Sequence, residues 1–258
     1  MEIVLIILVA FAASLLTFFS GFGLGTLLAP VFMLFFPVEV AIALTAVVHF
    51  FNNLFKLALV ARYADKQVLL RFGIPAVAAA FAGSWLLFRL SDLPVLFAYE
   101  FHGKTFEVSP INFTMAIILL FFAMMDLLPF FKKLQFGRDK MLIGGLLSGF
   151  FGGLSGNQGA LRTAFLVKAG LSKEAFIGTG VAIAAFIDIT RLSVYATKFE
   201  QSGLTDNLGL VAIATLSAMA GALAGNKLLR KVTLGFVQAF VAVMLILISL
   251  ALGAGLIG

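Results

Sequence analysis

Between Glu2 and Glu39 the chain carries no charged residue, an uncharged and mostly apolar run of 36 residues from position 3 to 38. As one straight helix this run would measure about 54 Å at 1.5 Å per residue, against a bilayer hydrocarbon core of about 30 Å. It must bend or break inside a membrane. The sequence marks the place with Ser20-Gly21-Phe22-Gly23-Leu24-Gly25, followed by Pro30. Irregular backbone at membrane depth is tolerated only where protein or a water-filled cavity surrounds it, and a broken membrane helix points to a transporter's binding site. The rest of the chain keeps the same style. Full-length apolar helices are predicted at 38–61, 73–89, 111–131, 173–197, 206–226 and 232–257. Segments 3–36 and 141–169 are instead interrupted by glycines. The second interruption reads Gly152-Gly153-Leu154-Ser155-Gly156-Asn157-Gln158-Gly159, and its flanking pieces, each about ten residues, are too short to cross alone.

Loop charge sets the direction of these spans. Arg62, Lys66 and Arg71, then Lys132, Lys133, Arg138 and Lys140, then Lys227, Arg230 and Lys231 mark cytoplasmic loops. The 91–110 connection carries Asp92, Glu100 and Glu107 against Lys104, and 198–206 carries Glu200 and Asp206 against one Lys; both face outward. Closing the count makes 141–169 a hairpin entering from the cytoplasm and 3–36 a hairpin entering from outside, with both termini outside. The two halves, 1–135 and 136–258, then come out inverted. They also align at a spacing of 134 residues: Gly25 with Gly159, Ala41 with Ala175, Thr45 with Thr179 and Val47 with Val181. Ala82-Gly83 resembles Ala220-Gly221 after a four-residue shift. The fold class expected is therefore all-α, a polytopic membrane bundle of two inverted repeats, each with a re-entrant broken helix and three spanning helices.

Composition agrees. Of 258 residues, 62% are hydrophobic and 12% charged, with a mean hydropathy of +1.13, where a soluble domain carries about 25% charged residues. The net charge of +6 falls in short loops, so it speaks for positive-inside topology and not for nucleic acid. Cysteine is absent, which excludes disulfides, thiolate metal sites and thiol redox chemistry. Met1-Glu2 lacks the basic stretch of a cleavable signal. With two histidines in the chain, a three-histidine metal site is excluded, and no cofactor is expected. Gly21 to Gly25 is no dinucleotide fingerprint, and Gly152 to Gly159 lacks the Lys-Ser/Thr of a phosphate loop. There is no room for the nucleotide-binding domain of an ATP-driven pump.

Candidate chemistry sits at the breaks. Each opens a half-helix whose free N–H groups attract anions: Gly23, Leu24, Gly25 and Thr26 begin one, and Asn157, Gln158 and Gly159 the other. Glycines that only permit close packing, as at Gly145 and Gly149 or Gly221 and Gly225, are the alternative, but packing needs no amides, and Asn157-Gln158 supplies two. Arg162 lies one turn into the second half-helix, where charge is costly and usually functional; snorkelling to the cytoplasmic surface is its alternative. On 38–61, Thr45, His49, Asn52, Asn53 and Lys56 make one polar stripe, with Lys56 near enough to the cytoplasmic end to snorkel. On 173–197, Asp188, Arg191 and Tyr195 share a face. Either Asp188 and Arg191 form an internal ion pair, or Arg191 binds the anion and Asp188 carries a proton. His49 and Asp188 are the proton-coupling candidates.

At the two breaks the chain resembles the sulfite exporter family of TauE/SafE type. The resemblance lies in G-x-G-x-G-T-L-L-A-P and V-E-V-A-I-A-L-T over 21–45, in G-G-L-S-G-N-Q-G-A-L-R over 152–162, and in A-x-x-G-T-G over 175–180. Pro30 fits the family's glycine motif with a downstream proline in the first half. The second half carries Asn157-Gln158 and lacks the proline. The resemblance implies a multi-pass protein of the cell membrane, not an enzyme, that exports sulfite, sulfoacetate or another organosulfonate. From the breaks, the polar stripe and the buried arginines, the candidate substrate-binding residues are Gly23, Gly25, Thr26, His49, Asn52, Asn53, Asn157, Gln158, Gly159, Arg162 and Arg191. The expected partners are a small anionic substrate and the lipid bilayer, with a homodimer as a candidate assembly. The competing readings are an anion channel with uncoupled flux and, with no nucleophile placed for it, an intramembrane enzyme using His49 and Asp188.

Overall fold

The computed structural model describes residues 2–17, 23–132, 134–198, 205–228 and 234–258. Ser20, Gly21 and Phe22 of the first break, Lys133 of the midpoint loop, Glu200 of the second outward connection, and Arg230 and Lys231 of the last basic loop lie outside these residues. The first half supplies α1 (Glu2–Thr17), α2 (Gly25–Phe32), α3 (Val38–Val60), α4 (Lys66–Ser91) and α5 (Pro110–Leu127). The second supplies α6 (Met141–Ser155), α7 (Gly159–Leu166), α8 (Lys173–Ala196), α9 (Leu208–Leu228) and α10 (Leu234–Gly253). Five helices among the described residues are long and apolar enough to cross a membrane: Val38–Tyr63, Lys66–Ser91, Pro110–Leu127, Lys173–Ala196 and Leu208–Gly225. Leu70, Ile74, Phe81, Trp85, Leu216 and Leu247 stand exposed on the outer faces, as lipid contact requires.

Among the boundaries that differ from the sequence expectation, three have a clear local reason. The helix after Arg62 begins at Lys66 because the Asp65 carboxylate accepts the Val68 N–H at 2.9 Å and caps it; a π-helical turn follows at Leu69–Gly73. α5 stops at Leu127 because Leu128 precedes Pro129 and is extended. α6 runs to 15 residues and α7 to eight, not ten each, because Gly152 and Gly153 stay helical; the break comes at Gly156, whose φ of 76° is left-handed. The helical bundle expected is observed, with one short addition. The 91–110 connection contains an antiparallel hairpin of β1 (Phe97–Phe101) and β2 (Lys104–Val108). Its turn is His102-Gly103, with φ of 51° and 72°, the two positive values a tight primed turn demands.

Small residues set the packing. Gly145, Gly149 and Gly153, four apart on α6, lie against the carbonyls of Phe72, Ala76 and Ala80 on α4; a Cβ at any of the three would collide with backbone. The register makes α4 and α6 parallel. The same contact recurs between α1 and α9, also parallel: Gly221 meets the Phe11 carbonyl, and Ser217 Oγ donates to the Ile7 carbonyl at 2.8 Å. Gly83 on α4 correspondingly meets the Phe150 carbonyl of α6. The remaining partners are antiparallel. α8 runs against α3, with Gly178 on the Val60 carbonyl and the Asp65 N–H bonded to Thr179 Oγ1 at 2.9 Å. α10 runs against α5, with Gly253 against Ala116 and Asn112 near Ile257. α7 folds back along α6, since Gly144 lies on the Phe165 ring and Gly152 on Gln158.

Gly149→Val should therefore drive a side chain into the Ala76 carbonyl and lower stability by about 1–3 kcal/mol or more. Gly209→Ala, where an added Cβ meets nothing within 4 Å, should leave the melting temperature unchanged or slightly raised. Equal melting temperatures for the two variants in thermal unfolding of detergent-purified protein would contradict the packing assignment.

Candidate functional site

The two breaks meet in the middle of the bundle. Gly25, the first residue of α2, lies against the Gly156 carbonyl and Thr45 of α3, with 3.3 Å and 3.7 Å left for a Cβ. Among the described residues the first backbone bond of α2 runs from the Thr26 N–H to the Gly23 carbonyl at 3.2 Å, with the Leu24 and Gly25 amides ahead of it at the helix start. In α7 the Arg162 N–H bonds the Gln158 carbonyl at 3.0 Å, leaving Gly159, Ala160 and Leu161 ahead of that bond. Both starts are buried.

Beside them, α3 and α8 bring together the polar residues read from the sequence. Asp188 is fully buried and shared. Its Oδ2 lies 2.7 Å from His49 Nδ1 and accepts from Asn53 Nδ2 at 2.8 Å. Its Oδ1 accepts from Arg191 Nε at 3.0 Å, with Arg191 Nη2 at 2.7 Å. The internal ion pair is thus formed, and it also engages His49. The network assigns the Nδ1 proton to His49, donated to Asp188. That leaves His49 Nε2 directed at Gly23, where an added Cβ would sit 3.4 Å away. Tyr195 does not touch this carboxylate; its hydroxyl donates to the Gly153 carbonyl at 2.9 Å.

A narrow cavity of about 40 Å³ opens along this side of His49. Gly23, Leu24, His49, Asn53, Lys56 and Arg162 line it, closed on the other side by α8 from Phe176 to Ala184. Arg162 and Lys56 are 7% and 6% exposed, so neither reaches a surface by snorkelling. Arg162 Nη1 donates to Gln158 Oε1 at 3.3 Å. Among the described residues lining the cavity none is Asp or Glu.

Other expected site residues lie elsewhere. Asn157, Gln158, Gly159 and Arg191 do not line this cavity. The Asn157 amide and Gln158 Nε2 are buried without a hydrogen-bond partner among the described residues, as is Arg191 Nη1. Arg191 Nη1 points at the break, 3.1 Å from a Cβ placed on Gly156. Thr26 Oγ1 is spent locally, donating to the Gly23 carbonyl at 2.7 Å. Asn52 turns toward α1, where its Oδ1 accepts from Ser14 Oγ at 3.1 Å. Lys56 is the lining residue that sequence periodicity placed on the stripe without giving it a binding role. Asp126, buried near the end of α5, was not singled out at all; an acid within an otherwise apolar span was the available signal.

Among the described residues, five helices long and apolar enough to cross a membrane, with exposed apolar flanks, define a polytopic helical membrane protein. A family model described as Sulfite exporter TauE/SafE matches residues 6–252, and the chain belongs to that family of membrane transporters. No curated protein and no solved structure matches the chain.

The shared carboxylate makes one energetic prediction. Asp188→Ala strands the buried Arg191 guanidinium and should cost about 3–5 kcal/mol. Asp188→Ala combined with Arg191→Met should be more stable than the single variant, because no unpaired charge remains. Chemical unfolding of both checks this; additive losses would show that the two side chains do not depend on each other.

Proposed function

We propose that this protein is a secondary transporter that exports a small sulfur-containing anion, sulfite or an organosulfonate, across the cell membrane by alternating access. The observation that carries the reading is the convergence, in one buried cavity, of Arg162, Lys56, His49 Nε2 and the start of α2. A tetrahedral or pyramidal oxyanion is matched by that donor set: a planar guanidinium, an ammonium, and backbone N–H groups at a helix start. The family match supports sulfur as the central atom. Charge alone does not.

The halves 1–135 and 136–258 act as inverted repeats in this reading. Its support is the exchange of partners: α1 on α9 mirrors α6 on α4, while α3 and α8, equivalent by the repeat, run antiparallel, as do α5 and α10. Each broken segment is then a re-entrant hairpin, and rocking one half against the other would open the central site to alternate sides. A single cysteine at Leu256, in a chain with no native cysteine, should react with an impermeant reagent from outside. Labelling from the cytoplasmic side alone rejects the inverted arrangement.

The Asp188–His49 pair supplies a coupling mechanism. Protonation at His49 Nε2 places an imidazolium beside the bound anion while Asp188 balances it from behind. Anion and proton then favour each other's binding by the same factor. In proteoliposomes an imposed pH gradient should drive uptake of labelled sulfite, and His49→Gln or Asp188→Asn should uncouple or stop it. Arg162→Gln should weaken anion binding by about tenfold or more, the loss of a charge-assisted contact. Flux that follows membrane potential alone, at about 2.3 kcal/mol per charge per 100 mV, with both variants active, would favour the uncoupled alternative; ohmic, non-saturating flux would identify a channel.

A further inference from the structure

A second recess lies on the outer face of the bundle, away from the central cavity. It opens between α4 and α8 and holds about 520 Å³, within the roughly 300–1,000 Å³ of small-molecule sites. Two rows of α4 face it at a spacing of four residues: Lys66, Leu70 and Ile74, and beside them Leu69, Gly73 and Val77. Gly73, in the π-helical turn Leu69–Gly73, leaves the second row without a side chain at its centre. α8 runs parallel to α4 here. The Asp65 N–H bonds Thr179 Oγ1 at 2.9 Å, and further along a Cβ placed on Gly73 would lie 3.9 Å from Ile183 Cγ1. Phe186, about one turn beyond Ile183, forms the opposite wall. Leu70, Ile74 and Phe186 are 62%, 63% and 45% exposed, so the recess opens outward from the bundle.

Its chemistry is one-sided. Lys66 lines one end, and the other lining residues are apolar or glycine. Lys66 opens a span of 26 residues, about 39 Å long at 1.5 Å per residue. Against a hydrocarbon core of about 30 Å, its first residues stand at headgroup level. Val77, about 16.5 Å further along the helix, lies near the midplane. The recess is thus one leaflet deep, with a cation at its rim and an apolar floor. The rim favours an anion: Arg62 and Arg71 are exposed and close in sequence to Lys66, while the Asp65 carboxylate is taken up by the Val68 N–H. Basic pockets between membrane helices take lipid headgroups. We infer that the α4–α8 recess binds one anionic phospholipid, its phosphate on Lys66 and an acyl chain laid along Leu70, Gly73 and Phe186 toward Val77. The site is distinct from the central cavity, and the inference needs only that the bundle spans a bilayer, whatever the protein carries across it.

Native mass spectrometry of the purified full chain, titrated with phosphatidylglycerol or phosphatidylcholine of identical acyl chains, tests this. The wild type should retain one phosphatidylglycerol about tenfold more tightly than phosphatidylcholine. Lys66→Gln should bring the two lipids within about threefold of each other, and Lys66→Arg should keep the preference. Arg89→Gln, which removes a cation from the last turn of α4 at the opposite end, should leave it unchanged. Gly73→Leu fills the gap, where a Cβ meets Ile183 in ordinary contact, and should weaken both lipids by about tenfold. Glycerol phosphate, a headgroup without tails, should not displace the lipid. Displacement by it would make the rim a free-anion site and overturn the lipid assignment. A wild type without preference, an equal loss of preference in Arg89→Gln, or a Gly73→Leu variant that binds both lipids like the wild type also overturns it. A two-copy mass that Gly73→Leu reduces to one copy would make the recess an interface between copies and reject the lipid site.

Discussion

A helix that stops inside a membrane leaves amide and carbonyl groups that lipid cannot satisfy. Two such stops, before Gly25 and after Ser155, lie side by side in this protein. Enclosing them requires protein on every side at backbone distance, and that is what the glycine contacts provide. Gly145, Gly149 and Gly153 bring α6 onto the α4 backbone, and Gly221 brings α9 onto α1. A larger residue at these positions would hold the hairpins away from their neighbours and admit lipid or water to the broken ends. The close packing is thus a precondition of the site, although none of these glycines lines it.

The breaks, the spans and the polar stripes were legible because each is a local pattern. Thirty-six uncharged residues cannot be one span, and Gly156 had to be glycine to take a left-handed φ. What local pattern could not assign was which glycines break a helix and which merely pack: Gly152 and Gly153 look like part of the break and are helical, pressed against Gln158 and Ala80. The hairpin at 97–108 went unread because it sits between two strongly apolar spans, although its alternating aromatic residues and His102-Gly103 turn carry the signal. The stripe on α3 was read as one face, yet Asn52 turns to Ser14 while Asn53 turns to Asp188. Residues adjacent in sequence differ by about 100° around a helix, and only the position of α1 and α8 decides which direction is useful. The meeting of His49 with Asp188, 139 residues apart, is a tertiary fact with no local signature.

Placing a carboxylate between an imidazole and a guanidinium has a consequence for the site. With Arg191 alone, Asp188 would be a closed internal pair and His49 an ordinary buried histidine. Shared between them, the carboxylate fixes the ring orientation and directs Nε2 into the cavity. Arg191 remains behind, held to Asp188 and facing the Gly156 turn. The two arginines that the sequence offered as candidate anion ligands therefore differ in placement. Arg162 faces the cavity, and Arg191 anchors the acid that aims His49.

The repeat carries the scaffold further than it carries the chemistry. Under the 134-residue correspondence His49 pairs with Ile183, Asn53 with Ile187, Lys56 with Thr190, Asp188 with Leu54 and Arg191 with Leu57. Each polar residue of the cavity and its support has an apolar or uncharged counterpart in the other half. Had the stripe on α3 been duplicated on α8, the bundle would hold two histidine-lined slots and twice the buried charge, at a cost that membrane depth makes severe. Instead α3 contributes the imidazole, α8 the carboxylate, α7 the guanidinium and α2 the helix start. The proposed site draws on residues from both sides of position 135, so under the proposed alternating access a rocking of one half against the other would change the distances between its groups.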